Sequence, residues 1–137
     1  TWSDGSDSVA RLVGKAVDNG CQVLAITDHS DRNSKVHTAD PGYFIAIDAE
    51  RARHPGLVLI AGIEWNIPAY NGREHVSVLV APPLAAAVLP EFRMRFDDTG
   101  RDKAESHPDP GGAMSWLQRQ AESPRQAALI YNHPSRK

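Results

Sequence analysis

The sequence predicts an α/β fold in which mostly parallel strands alternate with helices. Short apolar runs bounded by turn residues alternate with stretches of helical periodicity, the pattern of βα units. The first apolar run, residues 22–27, is continuous, as in a strand covered on both faces. Side chains capable of metal chemistry recur where these runs end. Ligands in α/β folds sit outside the carboxyl ends of parallel strands.

The elements follow in order. Ser3-Asp4-Gly5-Ser6-Asp7-Ser8 is turn-rich. Val9, Leu12, Val13, Ala16 and Val17 then share one helical face, with Asp7 or Ser8 as N-cap and Gly20 as the stop. A polar loop over 30–40 follows the first strand. Pro41 starts a second helix that runs to His54 and ends at Pro55-Gly56. Residues 57–63 form the next strand. Ile67-Pro68-Ala69-Tyr70-Asn71-Gly72 makes a short excursion with an Asn-Gly turn and returns into a strand at 75–81. Pro82-Pro83 breaks that strand. A helix from Leu84 to Phe96 is kinked or divided by Pro90. Residues 97–111 read as an exposed loop. Ala113, Trp116, Leu117 and Ala121 mark another helix, and 127–131 the last strand.

At 137 residues, with 41% hydrophobic and 23% charged residues, the chain has the composition of one ordinary globular domain or a piece of one. A net charge of −2 provides no broad basic face for duplex DNA, while a small anion held by an Arg and a metal fits. The lone Cys21 excludes an internal disulfide and a cysteine-rich zinc motif, and its place at the start of a buried strand predicts inert packing. No apolar run is long enough for a transmembrane helix. Thr1 in place of an initiator Met leaves the compartment open, with the cytoplasm favoured.

Four points on the chain carry the chemistry. Val23-Leu24-Ala25-Ile26 leads into Thr27-Asp28-His29, and Leu57-Val58-Leu59-Ile60 leads into Ala61-Gly62-Ile63-Glu64. His75 opens Val76-Ser77-Val78-Leu79-Val80, and Ala128-Leu129-Ile130-Tyr131 leads into Asn132-His133-Pro134. Each has a structural explanation when taken alone: Asp28 capping a turn, Glu64 on the surface, His75 satisfied at a strand edge, His133-Pro134 ending a ladder. Their recurrence at one kind of place points to a metal site, because imidazole and carboxylate are the usual ligands of a catalytic metal. Glu64 lies between Ile63 and Trp65, and a carboxylate in apolar surroundings needs a partner. Asp28 is a candidate support for His29, whose second ring nitrogen needs an acceptor. Arg136 is a candidate phosphate clamp. His37, His54 and His107 read as structural or solvent-exposed. The chain contains no Gly-x-Ser-x-Gly elbow, dinucleotide-binding glycine motif or Walker motif.

Ser3-Asp4-Gly5, a helix, Ala25-Ile26-Thr27-Asp28-His29, Gly62-Ile63-Glu64, His75 before an apolar strand and Asn132-His133-Pro134 occur in that order. In this the chain resembles the PHP (polymerase and histidinol phosphatase) family along nearly its whole length. The resemblance implies a fragment of a distorted (β/α)7 barrel that holds two or three divalent ions (Mn, Zn or Fe) at its carboxyl end. It implies that Glu64 bridges two metals, that His75 and His133 serve one ion, and that Asp4 and His29 serve another. The family's early His-x-His pair and late Asp-x-His pair are not in this sequence. Residues 1–137 are therefore expected to be a single partial domain lacking the first strand and the C-terminal units.

The function implied is that of a metal-dependent phosphoesterase, in which a metal-activated hydroxide hydrolyses a phosphoric ester and no side chain acts as covalent nucleophile. Its substrate would be a phosphate-ester small molecule, a nucleotide or a short oligonucleotide. The alternative is a non-catalytic scaffold of the same fold with a degenerate metal site.

Overall fold

The computed structural model describes residues 5–30, 38–67, 74–97, 109–121 and 126–132. They form four helices and a four-stranded sheet, in the order α1 (Val9–Asp18), β1 (Val23–Ile26), α2 (Pro41–Arg53), β2 (Val58–Asn66), β3 (His75–Val80), α3 (Pro82–Phe96), α4 (Pro110–Gln120) and β4 (Ala127–Tyr131). The architecture is mixed α/β.

Local signals set most boundaries. Ser8 is the N-cap of α1, its hydroxyl accepting the Arg11 N–H at 3.2 Å, and Gly20 takes φ 72° just beyond the helix. Pro41 occupies the first turn of α2. β3 ends at Val80, just before Pro82-Pro83, as expected, and α3 starts at Pro82 rather than Leu84, since a prolyl residue in a first turn sacrifices no helical hydrogen bond. Pro90 lies inside α3, which is continuous from Pro82 to Phe96. Asp109 caps α4 by accepting the Gly111 and Gly112 N–H groups.

The sheet corrects the expectation of mostly parallel strands. Its order is β1-β2-β3-β4, and only β1 and β2 are parallel. β3 is antiparallel to both neighbours. Residues 67–74 are all the chain between β2 and β3, whereas a parallel crossover needs about a dozen residues or more. The described strands form an open sheet. β1, β2 and β4 nevertheless point the same way, and only β3 is reversed.

Burial alternates along β2 and β3. Leu59, Ala61, Ile63 and Trp65 of β2, with Val76, Val78 and Val80 of β3, are buried in the core shared with the helices. Phe92 of α3 is fully buried and meets Trp65 edge to face, with ring centroids 5.1 Å apart. Residues of the opposite parity are more open. Val23 is 58% exposed, Val58 56% and Ile130 53%, so β1 is not covered on both faces. Cys21 is exposed in the turn before β1, which overturns the expectation that it packs inertly in a buried strand. Asp97, assigned by sequence to an exposed loop, is fully buried at the end of α3, and the rest of that loop through residue 108 lies outside the described residues. Val17, expected on the buried face of α1, is also exposed.

Candidate metal centre

The strand directions gather the candidate residues at one edge of the sheet. β1 and β2 bring their carboxyl ends there, and the reversed β3 brings its first residue. His29, beyond β1, makes a parallel bridge with Glu64. The Glu64 N–H donates to the Asp28 carbonyl at 2.8 Å, and the Ser30 N–H donates to the Glu64 carbonyl at 2.9 Å. Two backbone hydrogen bonds thus fix His29 beside Glu64. Across the next pair Glu64 faces Ser77 and Asn66 faces His75, so His75 is the diagonal neighbour of Glu64. The Asn132 N–H donates to the His75 carbonyl at 3.1 Å and brings the end of β4 to the same edge.

The side chains converge in a specific way. Glu64 Oε2 lies 3.1 Å from His29 Nδ1, and Glu64 Oε1 lies 3.3 Å from His75 Nδ1. One carboxylate therefore presents a different oxygen to each of two imidazoles. The rings stand edge to face, with centroids 5.2 Å apart. Ligand atoms of the three residues lie within 4.8 Å of one another, and all three side chains are partly buried. Two atoms each about 2.1 Å from one tetrahedral ion are about 3.4 Å apart. Each nitrogen–oxygen pair is close to that spacing. Two imidazoles and a carboxylate also form a donor set suited to Zn, Mn or Fe.

Neighbouring groups hold the carboxylate in place. Asn132 Nδ2 donates to Glu64 Oε1 at 2.7 Å, and Ser77 Oγ donates to Asn132 Oδ1 at 2.9 Å. Below them the Tyr43 hydroxyl of α2 lies 2.8 Å from both the Ile26 and the Gly62 carbonyl oxygens and ties the ends of β1 and β2 together. Burial raises the pKa of Tyr43 well above the ordinary tyrosine value, and the nearby Asp28 carboxylate raises it further. Gly62 is required by close approach. A Cβ there would stand 2.6 Å from the Val78 carbonyl oxygen and 2.7 Å from Leu79 Cδ2. A cleft of about 330 Å³ opens beside the cluster, lined in part by Gly5, Leu24, Thr27, Asp28, His29 and Glu64.

Of the residues singled out by sequence, the structure brings His29, Glu64 and His75 together. Asp4, His133 and Arg136 lie outside the described residues, as do His37 and His107. Asp28 was expected to support the His29 ring. Asp28 sits at the same edge, where its carbonyl accepts the Glu64 N–H and its carboxylate acts electrostatically on Tyr43. His54 ends α2, as expected, with Nε2 3.6 Å from Glu50 Oε2. Sequence reading assigned no role to Asn132, Ser77 or Tyr43. Ser77 could have been found by parity, because it lies two residues from His75 on the same strand face. Neither a family model nor a curated protein matches the chain.

Proposed function

We propose that the chain carries a divalent-metal centre for phosphoester hydrolysis, of the kind its resemblance to PHP phosphoesterases implies. The observation that supports this most is the Glu64 carboxylate, with one oxygen facing His29 at 3.1 Å and the other facing His75 at 3.3 Å. That arrangement suits a carboxylate spanning two metal positions, one on the His29 side and one on the His75 side. Asp4 would join the first position and His133 the second. The complete domain would then be the family's distorted barrel, with the metal edge at its carboxyl end.

When bound, the ions supply Lewis acidity toward water and toward a phosphoryl oxygen. The chain's own residues hold and orient. Asn132 fixes the Glu64 carboxylate through a 2.7 Å hydrogen bond, and Ser77 sets the Asn132 amide so that its NH2 faces Glu64. The cleft beside His29 and Glu64 gives a phosphate ester a place next to the donors. Arg136 would clamp the phosphate.

Metal binding comes first among the tests. Titration with Co2+ or Zn2+, followed by calorimetry and the Co2+ visible spectrum, should give saturable binding that falls at least tenfold in His29→Ala, His75→Ala and Glu64→Gln. Mn2+-dependent hydrolysis of a phosphomonoester or short oligonucleotide should depend on the same residues. Binding that is absent, or indifferent to His29→Ala, would overturn the metal reading. Binding without hydrolysis would favour the scaffold.

A further inference from the structure

The most buried polar cluster among the described residues lies next to the donors but includes none of them. Asp97, at the end of α3, is fully buried, as are Ser30 and Thr38, and Asn66 is nearly so. The Asp97 carboxylate accepts a hydrogen bond from the Ser30 hydroxyl. It also accepts from Asn66 Nδ2 at 3.2 Å and lies 3.4 Å from the Asn66 backbone nitrogen. One turn earlier, Arg93 donates from Nε to the Ser30 carbonyl at 2.9 Å and from Nη1 to the Thr38 carbonyl at 2.8 Å, with Asp40 Oδ1 3.4 Å away. Ala39, next to Thr38, takes φ 64°, a conformation that residues with a Cβ disfavour.

The partners of Asp97 are neighbours of the donors. Ser30 follows His29, and Asn66 is two residues beyond Glu64 and faces His75 across the β2–β3 ladder. A buried carboxylate is costly unless well hydrogen-bonded, and an apolar side chain could close the core at the end of α3 at lower cost. The cluster therefore needs an explanation beyond packing. Its position provides one, because it clamps the backbone on which His29, Glu64 and His75 are mounted.

We propose that Asp97 is a positioning residue for the metal centre, acting through Ser30 and Asn66 with Arg93 holding the same segment. The proposal rests on the metal reading above. It assigns the C-terminal turn of α3 the task of keeping the two imidazoles at their spacing from Glu64. Loosening that turn should weaken metal binding without removing any ligand. Groups hydrogen-bonded directly to metal ligands tune affinity about 10–100-fold, and Asp97, one step further out, is expected at the lower end of that range.

The test compares Co2+ affinity and the Co2+ visible spectrum of the protein with those of Asp97→Ala, Ser30→Ala and Asp97→Asn. Urea unfolding is run on each. Asp97→Ala and Ser30→Ala should lose roughly tenfold or more in affinity and shift the Co2+ bands. Asp97→Asn can still accept from Ser30 and should recover most of the loss. Val13→Ala, on the buried face of α1, sets the baseline for a stability loss away from the cluster and should leave affinity and bands unchanged. If Asp97→Ala does not fold, Ser30→Ala decides. Wild-type affinity and spectrum in Asp97→Ala and Ser30→Ala, with His29→Ala still deficient, would overturn the positioning role and leave the metal centre standing. An equal loss in Val13→Ala would reduce the role to general stability. No Co2+ binding by the wild type, or binding indifferent to His29→Ala, would remove both readings.

Discussion

On the helix-covered face of the sheet, β2 presents Leu59, Ala61, Ile63 and Trp65, all buried. On the opposite face the same strand presents Val58, Ile60, Gly62 and Glu64, and its chemistry changes along its length. It starts apolar and exposed at Val58, becomes small at Gly62 where Leu79 lies close, and ends in the carboxylate that faces His29 and His75. β3 repeats the contrast, with Val76, Val78 and Val80 buried and His75, Ser77 and Leu79 partly open. One face thus supplies hydrophobic stabilisation and the other carries the candidate chemistry at one end. Period-2 alternation lets a single strand serve both purposes, because neighbouring residues never share a face.

The sharpest test of this contrast is a matched pair of substitutions. Phe92→Ala removes a fully buried ring that packs on Trp65, Phe96 and Trp116, and should cost about 3–5 kcal/mol in urea unfolding. Ile130→Ser on the open face should change stability by no more than about 0.5 kcal/mol. A large loss at Ile130 would mean that the open face also carries the fold.

Gly62→Ala probes the middle of the open face. The added methyl meets the Val78 carbonyl oxygen, which cannot rotate away, and should cost about 1–3 kcal/mol despite the small change in volume. Calorimetric unfolding checks this, and wild-type stability would show that the two strands can separate to admit a Cβ.

Tyr43→Phe should cost less than Gly62→Ala, about 1 kcal/mol, because it removes one hydroxyl beneath the ends of β1 and β2. It also carries a pH signature. The raised pKa means that the folded state favours the protonated phenol. That contribution is fully present below the ordinary tyrosine pKa of about 10 and is lost as pH rises above it. Melting temperature against pH should fall above that point in the wild type, and the fall should be weaker in Tyr43→Phe.

Much of the secondary structure was legible because its signals are local. Ser8, Gly20 and Pro41 set helix ends within a few residues of themselves, and the apolar runs marked every strand. His29, Glu64 and His75, which the structure brings together, stand out in the sequence for a related reason, since a potential ligand at either end of an apolar run is a short-range pattern. The mostly parallel sheet does not hold, because the connection over 67–74 is too short for a crossover and β3 runs antiparallel to β2, as a hairpin with an Asn-Gly turn signal does. Burial of Asp97 is not legible in the sequence, because the polar residues that follow it make the whole stretch resemble a loop.

The sequence by itself determined where the helices and strands lie and which residue types sit at the strand ends, because caps, turns and periodicity act over a few neighbouring residues. Only the tertiary structure decided that Asn132 and Ser77 hold Glu64, and only it showed that Ser30, next to His29, donates a hydrogen bond to Asp97. These contacts join residues 55, 68 and 67 positions apart. They depend on strand register and helix packing, which no short stretch of sequence encodes.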